Sequence, residues 1–203
     1  MAFLDQAERA RAAGLKDDPT RRDFVAGRIA LRAFAAGILA VHPGELTAAY
    51  VCPDCGTGPE NDHGRPGYRI AGLPAGLNLS LSRSRGWALL AAVHTREPGV
   101  RPGIDLEHSS GVTFPGFDVV ALTPAERERL NTLTPDQATR WRAAAWARKE
   151  ALLKSRGTGL RVDPATVEAF AEPGDGIVLV ELDTVALGLP AGFAAALAVP
   201  GTA

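Results

Sequence analysis

Between residues 20 and 40 the apolar positions Phe24, Ile29, Leu31, Phe34, Ile38 and Leu39 recur near helical spacing, with Arg21, Arg22, Arg28 and Arg32 interleaved. That pattern predicts a helix there, and a second one over 4–15. Proline and glycine dominate 42–76, which reads as loops interrupted by short extended pieces around 46–51 and 68–70. Residues 77–82 alternate Leu with Asn or Ser like a half-buried strand, and the apolar run 87–93 is the returning strand of a hairpin with 83–86 as its turn. A short strand follows at 103–107, and Thr123-Pro124-Ala125-Glu126 has the form of a helix cap with proline in the first turn. Thr134 before Pro135 and Gly157 at the far end delimit a long helix over 135–156. Strands at 176–182 and 193–199 form a closing hairpin-like pair. Helices, strands, then helices and strands again suggest an α+β protein of two layered halves with a boundary near 95–102.

The chain has 203 residues, 46% of them hydrophobic, enough for one full domain or two small ones. With 22 Lys+Arg against 23 Asp+Glu the formal charge is -1, so no bulk basic field exists to hold nucleic acid or an anionic membrane. Any anion site has to be local. No apolar run approaches the roughly 18 residues a membrane span needs, and Met1-Ala2-Phe3-Leu4-Asp5-Gln6 has neither the basic nor the apolar part of a signal peptide, so a cytoplasmic location is expected. The lysines are Lys16, Lys149 and Lys154, and every other basic residue besides histidine is arginine. Against that bias the pair Lys149 and Lys154 suggests a use for a compact, mobile ammonium that a planar guanidinium does not serve.

Two segments carry candidate chemistry. In Gly103-Ile104-Asp105-Leu106-Glu107 the period of a strand throws both carboxylates to one face and both aliphatics to the other. Two carboxylates so placed suit a magnesium ion that must also hold a phosphate, although a strand with one solvated face gives the same pattern. On the helix Trp146-Ala147-Arg148-Lys149-Glu150-Ala151-Leu152-Leu153-Lys154, Glu150 and Lys154 are four apart and share a face. The first could bind a metal or take a proton and the second could neutralise a phosphate; as a plain surface pair they would contribute about 0.3–0.5 kcal/mol.

Taken together, the two motifs resemble those of the 4'-phosphopantetheinyl transferases of the larger, Sfp-like type: G-I/V-D-x-E, then some forty residues, then W-x-x-K-E-A-x-x-K-x-x-G-x-G. Gly103, Asp105, Glu107, Trp146, Lys149, Glu150, Ala151, Lys154, Gly157 and Gly159 occupy its positions. Glu8 to Arg11 and Phe24 to Arg32 are similar to the family's early helices, His63-Gly64-Arg65-Pro66 to its G-K/R-P loop, and Phe193 to Gly201 to its closing strand. The resemblance implies two similar α/β halves, 1–98 and 99–203, related by a pseudo-twofold axis with the active site in the cleft between them. It further implies a monomer that moves 4'-phosphopantetheine from coenzyme A to a serine of an apo acyl or peptidyl carrier protein of polyketide, nonribosomal-peptide or fatty-acid assembly, releasing 3',5'-ADP.

By the same resemblance, Asp105, Glu107 and Glu150 hold Mg²⁺, Glu150 takes the serine proton, and Lys154 stabilises the departing diphosphate. Coenzyme A is expected to contact Arg11, Arg65, Ser82, Arg83, Lys149 and Lys154, with Arg22 and Arg28 as weaker candidates. The chain departs from the family in reading Ser82-Arg83-Ser84-Arg85-Gly86 where S-H-S is usual, so an arginine, which can grip phosphate but cannot titrate near neutrality, stands in for a histidine. It also starts near the first helix, without the family's usual N-terminal strand. Two alternatives stand beside this reading: a metal-dependent phosphoester hydrolase, disfavoured because no histidine cluster accompanies the carboxylates, and a degenerate relative that binds coenzyme A or carrier protein without transfer.

Cys52-Pro53-Asp54-Cys55, with His63 downstream, invites a zinc reading. A structural site wants four ligands and only three are obvious, with His42 or Asp62 as further candidates, so the sequence favours a simple turn with reduced thiols. A thioredoxin-like role fits less well, since that motif should open a helix and this one runs into Gly56.

Overall fold

The computed structural model describes residues 3–52, 54–57, 61, 63–95, 97 and 99–201. It is a mixed α+β chain whose strands pair antiparallel wherever a register is defined. The chain divides into two units, Met1–Leu81 with Ala92–Pro98, and Ser82–Ala91 with Gly99–Ala203.

In the first unit, α1 (Gln6–Gly14) and α2 (Asp18–Leu39) precede short strands β1 (Leu46–Ala48), β2 (Val51–Cys52), β3 (Gly56–Thr57), β4 (Tyr68–Ile70) and β5 (Leu73–Pro74). β1, β4 and β5 form one small sheet, while β2 pairs with β3. α1 begins in a capping box in which the Asp5 amide donates to Glu8 Oε2 at 3.0 Å. That glutamate is fully buried: its Oε1 accepts the Tyr50 hydroxyl at 2.8 Å and its Oε2 accepts Arg32 of α2 at 3.0 Å. Arg32 also reaches Asp5 at 3.1 Å and the Leu46 carbonyl. One buried, hydrogen-bonded ion pair thus joins both helices to the start of β1, where the sequence pattern showed only an arginine between apolar positions.

Strands β6 (Leu77–Ser84) and β7 (Trp87–His94) form a hairpin. The turn is only Arg85-Gly86, both at positive φ (51° and 79°), tighter than the four residues expected. Two consecutive left-handed residues match the twist of the flanking strands, which lets pairing continue to Ser84. The base of the hairpin belongs to the first unit and its tip to the second.

The second unit is built on the sheet β8 (Gly103–His108), β10 (Phe193–Pro200) and β9 (Ile177–Glu181), with β10 in the middle. Between β8 and β9 lie α3 (Phe117–Ala121), α4 (Pro124–Leu130) and α5 (Pro135–Arg156). α5 has the limits its caps predict: Thr134 accepts from the Gln137 amide at the start, and Gly157 at φ 74° ends it. Small residues let α5 lie close on the sheet, since Ala147 and Ala151 pack against Ala196 and Ala198 of β10. A Cβ added at Gly103 would run into the Ala151 carbonyl and come within 2.6 Å of the Ser155 amide. Ile104 and Leu106 point to the other face, where Leu106 packs with Leu189 and Ala195. No helix among the described residues is long and apolar enough to cross a membrane.

Candidate active site

The close seating of α5 on β8 brings four of the expected residues together. In β8, Asp105 and Glu107 face α5, paired across the ladder with Ala196 and Ala194, whose small side chains leave room above them. One turn apart on α5, Glu150 and Lys154 stand over this pair. Lys154 Nζ lies 2.5 Å from Asp105 Oδ1, 3.2 Å from the Ile104 carbonyl and 4.0 Å from Glu150 Oε2. Ser82, from the hairpin tip, donates to Asp105 Oδ1 at 2.8 Å. The strand motif suggested solvated carboxylates, but Asp105 is only 2% exposed.

Three carboxylates share this spot with one ammonium. Burial, with Asp105 as the next cause, pushes the Glu107 carboxyl up to about 7, against the pull of Lys154 and of a hydrogen bond from Trp146. Burial also raises Glu150, again opposed by Lys154. Two oxygens of the cluster, Asp105 Oδ2 and Glu150 Oε1, are buried without a hydrogen-bond partner. Buried anionic oxygens with no donor are costly, and a hard divalent cation with oxygen ligands is the group that would satisfy them. The residues present therefore fit Mg²⁺.

Lys149 requires a correction. It was expected to contact coenzyme A, but its side chain has no exposed surface. Its Nζ donates to Glu126 Oε2 at 2.5 Å, to the Ala121 carbonyl at 2.6 Å and to the Pro164 carbonyl at 3.0 Å. Glu126 is the capping-box residue of α4, and its Oε1 accepts the Ala169 amide at 2.7 Å. Lys149 therefore braces the loops behind α5. The capping sequence located Glu126; nothing local announced that it would be buried against a lysine 23 residues on.

The remaining candidates are distributed over both units. Arg83 is exposed on β6 near the hairpin tip, in the second unit. In the first unit, Arg11 is exposed in the last turn of α1, and Arg22 is exposed on α2. Arg28 is stacked over the Tyr50 ring at 4.0 Å, a structural placement for a weaker candidate. Arg65 is half-buried; its backbone pairs with Val51 in both directions at 2.9 Å, and the residue lines a cavity of about 900 Å³ with Tyr68, Arg69 and Asn78.

The second unit thus gathers three carboxylates from a strand and a helix, with a lysine one turn from the helical carboxylate. Residues 101–189 match the model of the 4'-phosphopantetheinyl transferase superfamily. No match is found among curated proteins. Among solved structures, a holo-(acyl-carrier-protein) synthase from Bacillus anthracis str. Ames, in complex with CoA (3',5'-ADP), is 22% identical with a TM-score of 0.40, covering 50% of this chain and 96% of its own.

Proposed function

We propose that the chain is a Mg²⁺-dependent 4'-phosphopantetheinyl transferase of the larger, Sfp-like type, with halves 1–98 and 99–203. It moves 4'-phosphopantetheine from coenzyme A to a serine of an apo acyl or peptidyl carrier protein, and 3',5'-ADP leaves. It acts as a cytoplasmic monomer in carrier-dependent assembly of polyketides, peptides or fatty acids. The observation that carries the reading is the pair of unpartnered buried oxygens, Asp105 Oδ2 and Glu150 Oε1, within a cluster of three carboxylates beside Lys154.

Asp105, Glu107 and Glu150 hold the cation, and Ser82 and Lys154 keep Asp105 in place through Oδ1. When bound, Mg²⁺ neutralises the diphosphate of coenzyme A as a Lewis acid. Glu150, whose basicity burial raises, takes the proton of the attacking serine directly or through a water. The serine oxygen bonds to the pantetheine-side phosphorus, and the bond from that phosphorus to the bridging oxygen breaks, leaving charge on 3',5'-ADP. Lys154 gives two N–H groups to Asp105 and the Ile104 carbonyl, so its third can meet a phosphate oxygen. Arg11, Arg65 and Arg83 are the further coenzyme A contacts of this reading, and Arg83 supplies charge in place of a titrating histidine.

Two similar halves are also supported by a repeated device. Each unit starts a short helix with a capping box whose glutamate is buried against a cation on a helix of 22 residues: Glu8 with Arg32, 24 apart, and Glu126 with Lys149, 23 apart.

The test is intact-mass spectrometry of apo acyl and peptidyl carrier proteins incubated with the chain, coenzyme A and Mg²⁺, with an EDTA arm. A gain of one phosphopantetheine, lost in EDTA, is expected. Coenzyme A binding with no modified carrier would overturn transfer and favour a non-transferring relative.

A further inference from the structure

Among the described residues, one group of ligating side chains outside the carboxylate cluster converges. The sulfurs of Cys52 and Cys55 and a ring nitrogen of His63 all lie within 4.8 Å of one another, and Cys55 Sγ is 3.4 Å from His63 Nε2. At Zn–S distances of about 2.3 Å and Zn–N of about 2.0–2.1 Å, tetrahedral ligand atoms stand roughly 3.5–3.8 Å apart, so small shifts would close this triangle on a zinc ion.

The backbone is shaped to make that triangle. β2 ends at Cys52 and β3 begins at Gly56, with Cys52 opposite Gly56, so the chain reverses tightly and returns Cys55 beside Cys52. Gly56 takes φ 76°, which an L side chain rarely adopts. On the other side of β2, Val51 and Arg65 exchange two backbone hydrogen bonds of 2.9 Å, which sets His63 alongside the reversal. The approach is so close that a Cβ at Gly64, at φ 87°, would strike the Val51 carbonyl and come within 2.9 Å of Cys52 Cα. Asn61 donates to the Tyr50 carbonyl at 3.2 Å and to the Gly56 carbonyl at 3.0 Å. A simple turn, the reading the sequence favoured, needs neither the second clamp nor a histidine held against the thiols.

We propose that Cys52, Cys55 and His63 form a three-ligand zinc site, with solvent at the fourth position on the exposed Cys55 side. Two thiolates and a neutral imidazole balance the dication, and soft sulfur ligands distinguish this site from the oxygen-only cluster in β8 and α5. His42 is otherwise occupied, accepting from the Gly44 amide at 3.1 Å, and Asp62 lies outside the described residues. The site is independent of the transferase reading. Its product is rigidity: it would fix the β2–β3 reversal to the segment carrying Arg65, which forms part of the wall of the 900 Å³ cavity.

The experiment is elemental analysis of the full chain purified under reducing conditions without chelator, followed by exchange of the bound metal for Co²⁺. One zinc per chain is expected, retained through desalting and in excess Mg²⁺, together with a thiolate-to-cobalt charge-transfer band in the near ultraviolet. Cys55→Ser, at an exposed position, should keep the fold by circular dichroism yet lose both zinc and the band, and His63→Ala should lose zinc as well. Asp105→Asn should keep both. A wild-type chain without zinc whose cobalt spectrum shows no sulfur band would overturn the proposal, as would zinc retained at full stoichiometry in Cys55→Ser.

Discussion

Replacing Lys149 by methionine separates a brace from a ligand. The ammonium is fully enclosed and has three oxygen partners, the nearest being Glu126 at 2.5 Å. Methionine fills much of the same volume but leaves the Glu126 carboxylate, itself 4% exposed, in the interior with no cation. Removing one member of a buried pair in this way costs about 3–5 kcal/mol. For a chain of this length each kcal/mol lowers the melting temperature by about 2–4 °C, so Lys149→Met should melt about 6–20 °C lower.

The second arm is Lys149→Met with Glu126→Gln. Glutamine carries no charge, and its one carbonyl oxygen can still accept one of the two amides, Thr123 or Ala169, that Glu126 now accepts at 2.9 and 2.7 Å. The double variant should therefore recover the part of the loss that comes from the unpaired charge, and the coupling from the double-mutant cycle should exceed about 1 kcal/mol. Thermal unfolding of all four proteins supplies the cycle, and coenzyme A binding at a temperature where all are folded supplies the control. A Lys149→Met chain that melts with wild type yet binds coenzyme A tenfold more weakly would refute the argument and return Lys149 to the ligand site.

Four other outcomes are expected. Glu150→Gln should abolish carrier modification in the intact-mass assay with the fold retained, whereas near-normal transfer would sink the assignment of Glu150 as base and metal ligand. Without metal, Glu107 titrates near 7 in the folded chain against 4.5 as the ordinary value, so the native state binds the extra proton in that window and stability falls as pH rises through it, by at most about 3 kcal/mol; urea unfolding in EDTA at several pH values should show a slope that Glu107→Gln removes. Gly103→Ala should cost at least about 1–3 kcal/mol, because α5 has to lift off β8 to admit the methyl group, and an unchanged melting temperature would contradict the close approach. Arg32→Lys should destabilise the first unit measurably, since one ammonium cannot reproduce the guanidinium's bonds to Glu8, Asp5 and the Leu46 carbonyl; equal thermal stability would show that fork geometry does not matter there.

The parts of this structure that the sequence makes plain are those set by local rules. α5 runs from Pro135 to Arg156 because Thr134, Gln137, Pro135 and Gly157 all act within a turn of its ends. The carboxylate pair of β8 follows from strand period alone, and the helical spacing of Glu150 and Lys154 from the helix. α3 was not anticipated: five residues opening at Gly116, with φ 90°, are too few to show a period. In the first unit the extended piece around 46–51 resolves into β1 and β2, which pair with different partners, a distinction only tertiary context makes. The same limit applies to side chains. Ser82 was recognised as part of a ligand motif, but its bond to Asp105, 23 residues away, depends on where the hairpin tip lands. Lys149 stood out by composition, and what composition could not convey was which way it faces.

The glutamate–cation device recurs in both units with a different cation in each. A capping-box glutamate already has one oxygen committed to the N-cap amide, so its carboxylate is oriented before any tertiary contact forms. Burying it then requires only a cation from the long helix and a donor for the remaining oxygen, the Tyr50 hydroxyl in one unit and the Ala169 amide in the other. The cations differ with the acceptors they meet. Arg32 spreads its fork over two carboxylates and a carbonyl, whereas Lys149 points a tetrahedral ammonium at one carboxylate and two carbonyls. Both pairs leave the carboxylates of β8 untouched. The second unit can therefore present Asp105, Glu107 and Glu150 on a frame braced from behind, so the cost of crowding three acids is met by the fold.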